Sequence, residues 1–452
     1  MTRTTSFPLP LGEGQGEGRT SGEHRVASSS LTPTLSPLGR GRHFCLFILF
    51  ATSALAGSRA HPGGTLQVAL VSPSAAVDPL TADSPVDALR LLLTHQLLCR
   101  VVEVTRPSPN TLRLTTASSI DPKLITDALQ RVSTTTTAAR ALALPITSWS
   151  IKGRAVELQL KGPSPDLERM LCHPAFAIPV GAFRAKGERL EAFDEQPSGR
   201  PHLDAVVLQA ADARTAERLF AQRRVQLVLG AATSDEVVQL FATAVVFGPG
   251  LSALRPAVES TIERGDLARF FVPGPAGPLP GLLPPSLAPQ TPALTTAKPA
   301  PLNPPRELAL LFDEEAAHEK SIAQRLQVKL QPLGYRLALK PTPRGQLRNR
   351  RPAEGEVFLQ SVALPPTPTG ALILWLELAG QHARIPAVLQ QLAAAGDLDA
   401  RARELALQLA PELPLIPLVT RGLGVIAAKE VQHLTRDALG LPRLDDVFFA
   451  AE

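Results

Sequence analysis

The chain alternates short apolar runs of period two with stretches of helical spacing. In "TLQVALVS", Leu66, Val68 and Leu70 alternate with Thr65, Gln67 and Ala69, which predicts a strand stopped by Asp78-Pro79. "SPVDALRLLLTHQLLCRVV" sets Ala88, Leu91, Leu92, His95 and Leu98 at helical spacing behind Ser84 or Asp83 as N-cap, with Pro85 in the first turn. "TLRLTTA" and "AVELQLKG" read as strands, and a helix follows from Pro165 to about Leu171. "HLDAVVLQAA", "ADARTAERLFAQRR" and "VQLVLG" then read strand, helix, strand, with Ala216, Leu219 and Phe220 on the inner face of the helix. "LRPAVESTIERGDLARFFVPG" reads as helix up to Gly274.

A second unit opens with the strand "RELALLFD". Helix "AHEKSIAQRLQVKLQPLG" puts Ile322, Leu326, Leu330 and Leu333 on one face, and Gly334 suits a left-handed C-terminal cap. Strand "YRLALKP" returns with Tyr335, Leu337 and Leu339 in period two, closing a β-α-β unit. "LDARARELALQLAPELPLIPLVTRG" repeats the style, with Asp399 as N-cap and Leu405 and Leu409 inward. Between the two units, residues 273–305 are rich in Pro, Gly, Ala and Thr and read as a flexible linker or as a meander pinned to a domain.

The densest apolar run, Phe44 to Leu55, belongs to neither unit. About a dozen residues long, it falls short of the roughly 20 that span a bilayer. Arg40 and Arg42 precede it and Ala54-Leu55-Ala56 ends it, the layout of an export signal cleaved before Gly57; left uncleaved, it would anchor the chain. Residues 1–43 read as a leader without packed structure, and residues 44–56 as the signal and its cleavage site. The leader's "PLPLGEGQGEG" and "LTPTLSPLGRG" resemble an inverted DNA repeat translated through an early start codon.

Composition narrows the class. Of 452 residues, 44 are proline, about twice the usual share, which favours loops and strand stops over long helical bundles. The formal net charge of +5 is spread among acids, and the single dense basic cluster, Arg344, Arg348, Arg350 and Arg351, has no aromatics interleaved for base stacking. It reads as a solvated loop, and no nucleic-acid partner is expected. Cys99 and Cys172 survive signal cleavage, either as one disulfide or as two buried thiols. His95 with Cys99, and Cys172 with His173, have metal-ligand spacing but no repeat and no neighbouring carboxylates, so no metal or other cofactor is expected.

No nucleophile elbow, zincin helix, phosphate loop or dinucleotide fingerprint is present. The acidic pairs Glu314-Glu315 and Asp445-Asp446 read as solvated element ends. Binding, not catalysis, is the expected activity.

Taken in order, the segments resemble the extracytoplasmic solute-binding proteins of the peptide/nickel type, family 5 of those that serve ABC importers. The resemblance rests on "GGTLQVALVS" with "VDPL", "VELQLKGPSPDLERMLCHPAFAIP", "GAFR", "GRPHLDAVVLQ", "VQLVLG", "LRPAVESTIERGDLARFF", "GLLPPSL", "LALLFD" with "IAQRLQVKLQPLGYRLALKP", and "PLIPLVTRGLGVIAA". It implies an α/β, two-lobed periplasmic-binding-protein-like fold of type II with a reduced extra subdomain. Residues 63–76, 180–250 and 413–452 would form lobe I, residues 77–179 a small subdomain packed on it, and residues 251–412 lobe II. The implied function is capture of a small or peptide-like solute in the cleft and delivery to a transporter permease, with no stable membrane insertion after cleavage. The alternative is a degenerate relative acting as a partner-binding envelope protein.

Departures from the family pattern are local. "TLRLTTASSIDPKLITDALQR" abbreviates the subdomain. Where the family often has a tryptophan and then an aspartate that meets a peptide's amino group, this chain has "LQSVALPPTPTG", with Ser361 in place of the tryptophan and no acid. "FDEQPSGRPHLD" lacks the usual Tyr-Trp before its Gly-Arg-Pro. Asp83 and Ser84 after the first strand, Gln360 and Ser361 on the second-lobe strand, and Trp375 as an aromatic wall are the candidate ligand-binding residues, Trp375 having a core position as its other reading. Asp78 and Asp204 match family positions as structural residues.

Overall fold

Two mixed six-stranded sheets carry the architecture of this computed structural model, which describes residues 60–61, 63–71, 77–187, 189–232, 237–251, 254–288 and 306–450. The leader, the signal and residues 289–305 of the proline-rich segment lie outside the described residues.

The first sheet runs, in spatial order, Val425–Ala427, Leu227–Leu229, Thr65–Leu70, Ala205–Ala210, Arg189–Ala192 and Phe183–Lys186. Thr65–Leu70 lies parallel to both of its neighbours, with Leu66 opposite Val206 and Val68 opposite both Leu208 and Leu227. Helix Ala213–Ala221 makes the crossover; its N-cap Asp212 accepts from the Thr215 amide at 2.9 Å, and Ala216 and Leu219 are buried. Asp78 and Asp204 have local roles, accepting from the Leu80 and Gly64 amides respectively.

Ala276–Pro278, Leu415–Arg421, Phe241–Phe247, Glu356–Ala363, Arg306–Asp313 and Tyr335–Thr342 make up the second sheet. Helix Ala317–Leu330 joins the parallel strands Arg306–Asp313 and Tyr335–Thr342, burying Ile322, Leu326 and Leu330, and Gly334 behind it takes φ 82°. Phe241–Phe247 and Leu415–Arg421 are buried at every position. The sequence reading places these two strands in lobe I, whereas hydrogen bonding puts them in the second sheet. Strands covered on both faces read as continuous apolar runs, and such a run carries no signal for which sheet it joins.

The chain therefore changes sheet between strands Leu227–Leu229 and Phe241–Phe247, leaving the first through Gly230-Ala231, and changes again through Gly422-Leu423-Gly424. The two passages touch: the Gly230 amide donates to the Gly424 carbonyl at 2.9 Å, and a Cβ on Gly424 would lie 2.0 Å from the Ala231 carbonyl oxygen. Only glycine permits this approach.

A four-stranded antiparallel sheet, Val102–Ser108, Thr111–Thr116, Ala155–Leu160 and Ile146–Lys152, forms the subdomain under helix Pro122–Thr134, which buries Ile125, Ala128, Leu129 and Val132. Cys99 and Cys172 are joined in a disulfide, so neither thiol is available to a metal. Ala60–His61, Phe448–Ala450 and Val431–Gln432 form a small three-stranded antiparallel sheet.

Two smaller expectations change. The predicted single helix to Gly274 is two, Leu254–Thr261 and Arg264–Phe271, broken where Glu263 takes extended backbone. Arg255 and Arg264 on either side of the break donate to carbonyls of Leu413, Leu415 and Pro417, so contact with the sheet overrides local propensity. Helix Leu398–Leu409 is capped by Asp397, whose carboxylate accepts from the Ala400 amide at 2.9 Å, and not by Asp399, which lies in its first turn.

Candidate functional site

Carboxyl ends of parallel strands from both sheets converge on one cleft. Val71 follows Thr65–Leu70, Gly230 follows Leu227–Leu229, Glu315 follows Arg306–Asp313 and Arg344 follows Tyr335–Thr342; all line a cavity of about 480 Å³. In α/β sheets such ends are where ligands bind, because the strand amides and the helices that follow them point their donors there. Ser84, Asp87, His318 and Arg421 complete the polar lining, and Pro85, Val86, Pro273 and Leu423 contribute apolar surface.

The two helices that open on the cleft differ at their N-termini. Helix Pro85–Thr94 is closed: Ser84 Oγ accepts from the Asp87 amide at 3.1 Å and donates to Asp87 Oδ2 at 2.7 Å. No side chain caps helix Ala317–Leu330, whose N-cap position is Ala316. Glu319 in its first turn is turned away, its carboxylate accepting from the Asp313 and Ser361 amides at 2.9 and 3.0 Å.

An ion-pair network runs inward from the lining residues Arg344 and Asp87 to buried Asp313, Arg348, Asp83 and Glu319. Helix Arg344–Arg348 is five residues long, so its two arginines, four apart, share a face. Arg344 donates to Asp313 and to Asp87, both at 2.7 Å, and Arg348 donates to Asp83 at 2.5 Å and to Glu319 at 3.2 Å. Burial works against the charge of Arg348, but Asp83 and Glu319 outweigh it and hold its pKa above the usual value. Arg350 and Arg351 pair with Glu356 and Glu377. The solvated-loop reading thus holds for Arg350 and Arg351, which are exposed, and fails for Arg344 and Arg348, which helix Arg344–Arg348 carries into the network. Each of the four arginines meets a carboxylate that is distant in sequence or on the next strand, a pairing invisible to composition.

His318 Nε2 lies 3.2 Å from Ser361 Oγ, which also meets Thr243 Oγ1 at 3.0 Å. Burial, and then the charges of Arg421, Arg348 and Arg344, push the His318 pKa well below its usual value, so the ring is neutral.

Arg421 differs from its neighbours. It is 6% exposed and lines the cleft, yet no carboxylate among the described residues comes within 4.0 Å of it. Its Nη1 lies 3.4 Å from His318 Nδ1 and its Nη2 donates to the Asp83 carbonyl at 3.5 Å, while its Nε has no partner.

The structure distributes the five candidate residues over three places. Ser84 lines the cleft, with its hydroxyl committed to Asp87. Asp83, Gln360 and Ser361 meet around a separate cavity of about 40 Å³ that also touches His173 and Arg348. Trp375 is not a cleft wall: it is wholly buried in helix Pro368–Leu378, itself buried on every side, and its indole donates to the Leu282 carbonyl at 2.6 Å. Arg344, Arg421, Asp87 and His318 also line the cleft and carry no motif that marks them for it. The i,i+4 spacing of Arg344 and Arg348 was the one available signal, since it puts two cations on a single helix face.

No family model matches the chain, and no curated protein matches it. Solved structures do. The ABC transporter-associated periplasmic binding protein DppA from Helicobacter pylori, in complex with the peptide STSA, is similar at TM-score 0.67 and 12% identity, covering 86% of this chain and 99% of that one. The Escherichia coli murein tripeptide binding protein MppA gives 0.65 and 14%, covering 86% and 99%. NikA from Staphylococcus aureus, in complex with Ni(L-His)2, gives 0.64 and 14%, covering 85% and 99%. The chain therefore has the two-lobed α/β fold of these periplasmic binding proteins over nearly their whole length.

Proposed function

We propose that this chain is an extracytoplasmic solute-binding protein that captures a small or peptide-like solute between its lobes and delivers it to the permease of an ABC importer. One observation carries the reading: a cleft of about 480 Å³, apolar for much of its wall, sits at the carboxyl ends of strands from both sheets with polar groups converging on it. The shared fold supports it, since the neighbours named above are binding proteins for peptides or a nickel complex. The paired passages at Gly230–Ala231 and Gly422–Gly424 supply the kind of hinge that lobe closure requires, a few small residues absorbing the change in backbone angle.

A thermal-shift screen of the protein from Gly57 onward against peptides, amino acids, sugars and metal chelates tests the reading. A solute that binds only the folded state, present at 100 times its Kd, stabilises by about 2.7 kcal/mol and raises Tm. A screen in which nothing raises Tm overturns the reading and favours a partner-binding envelope protein.

Export belongs to the same proposal. No helix among the described residues is long and apolar enough to cross a membrane. A periplasmic location with cleavage before Gly57 predicts a mature N-terminus at that residue, and recovery of intact residues 1–56 from the periplasm would refute it.

A further inference from the structure

A cation buried at the wall of a binding cleft without its own carboxylate calls for an anion from elsewhere. Arginine does not shed its proton inside proteins, so its charge must be compensated. Burial lowers the Arg421 pKa, and Asp83, Glu319 and Asp87 offset that only in part and from a distance, because each is bonded elsewhere. Asp87 and Asp313 bond Arg344, Asp83 bonds Arg348, and Glu319 divides its oxygens among Arg348 and two backbone amides. Glu315, the other acid lining the cleft, is solvent-exposed. Arg421 is left with a carbonyl at 3.5 Å, a neutral imidazole at 3.4 Å and a free Nε.

A second, independent feature faces the same space. Helix Ala317–Leu330 is 14 residues long and opens on the cleft through Ala316, Ala317 and His318 with no capping side chain. Its first-turn amides and positive dipole end favour an anion. The facing helix Pro85–Thr94 carries its own cap in Ser84 and Asp87.

We infer that the cleft recognises solutes through an anionic head group, a carboxylate or a phosphate, held between the Arg421 guanidinium and the uncapped N-terminus of helix Ala317–Leu330. The inference rests on the solute-binding reading above and narrows it to a charge class. It reverses the recognition expected for a peptide's amino group. The anion enters at the side of the cleft built by the second sheet, and the apolar remainder lies toward Val71, Val86 and Leu423.

The test uses probes in charge-matched pairs: succinate with succinamide, Ala-Ala with its C-terminal amide, histidine with histidinamide, and glucose 6-phosphate with glucose. Calorimetry on the protein from Gly57 onward should find binding by the anionic member of at least one pair, with its neutral partner weaker by at least about tenfold. Which pairs respond separates a carboxylate head from a phosphate. Arg421→Gln should remove that preference, while Arg214→Gln on the exposed face of the first sheet's crossover helix should keep it.

Arg421→Met gives a readout that needs no solute. If the guanidinium is held for a ligand, the apo variant melts at or above the wild-type temperature, because an apolar side chain replaces a buried charge that no carboxylate contacts and whose burial outweighs the acids around it. Equal binding of both members of every responding pair, or a clear fall in the Tm of Arg421→Met, overturns the inference and leaves solute binding standing. Absence of binding by every probe together with a fall in that Tm makes Arg421 structural.

Discussion

Asp83 and Arg348 meet at 2.5 Å across 265 residues of chain, each under a tenth exposed. Asp83 lies just ahead of the helix that follows the first sheet's leading strand, and Arg348 ends the short helix after the second sheet's Tyr335–Thr342. One contact thus ties the two halves together behind the cleft. Breaking a buried pair from one side leaves an uncompensated charge, at a cost of about 3–5 kcal/mol. Arg348→Met should lower stability by that order in urea denaturation. The double variant Asp83→Leu with Arg348→Met should recover part of the loss, because the Asp83 charge leaves with its partner while Glu319 keeps only its two backbone amides.

A buried histidine predicts how stability follows pH. His173 accepts from the Ala175 amide at Nδ1 (3.1 Å), so its Nε2 carries the proton and donates to the Ala363 carbonyl at 2.9 Å, pinning the subdomain to the second sheet. Burial pushes its pKa down to about 4, against an ordinary 6.5. Unfolded chains therefore take up this proton first as pH falls. The contribution is whole above about pH 6.5 and is lost progressively toward pH 4, by as much as about 3 kcal/mol. His318 acts in the same direction. Unfolding free energies measured from pH 7 to pH 4 should fall less steeply for His173→Gln than for wild type, by about one proton's worth of slope. An unchanged slope would mean that the ring is protonated in the fold.

The disulfide should matter through the chain it closes. Cys99 and Cys172 are 73 residues apart, enclosing most of the four-stranded subdomain. Loop-closure entropy for that span predicts about 4 kcal/mol of stabilisation. Reduction, or Cys99→Ser with Cys172→Ser, should lower Tm markedly, and an identical Tm with and without reductant would show the thiols to be unpaired.

Between the sheets, Gly424 has no room for a side chain, since its Cβ would sit 2.0 Å from the Ala231 carbonyl oxygen. Gly424→Ala should cost at least about 2 kcal/mol, because backbone must move. Gly396→Ala, where nothing lies within 4 Å of the added atom, is the control and should stay within about 0.5 kcal/mol of wild type. Equal stability of the two variants would remove the close packing of the passages from the account of the hinge.

The elements were largely legible in the chain. Ala216 and Leu219 inward on one helix, Ile322, Leu326 and Leu330 inward on another, and the left-handed Gly334 all follow from spacing and local backbone preference, which are written within a dozen residues. Ser84 was legible as a cap for the same reason. Sheet membership has no such local signal. "FATAVVF" and "LIPLVTR" are apolar throughout, so nothing in them says which sheet they join, and only their hydrogen bonds placed them in the second.

Recognition lay further from reach. The arginines at 344 and 348 looked like a charged loop because their carboxylates, Asp83, Asp87, Asp313 and Glu319, arrive from 29 to 265 residues away. Arg421 ends the strand Leu415–Arg421, and its place at the cleft, with no carboxylate in contact, emerges only when every neighbour is in position. Periodicity, caps and turns are short-range properties of a chain, and by themselves they determined the helices, the strands and the α/β class. Compensation of buried charge depends on which distant groups arrive and which do not, so the cleft and the charge it presents were decided by the tertiary structure alone.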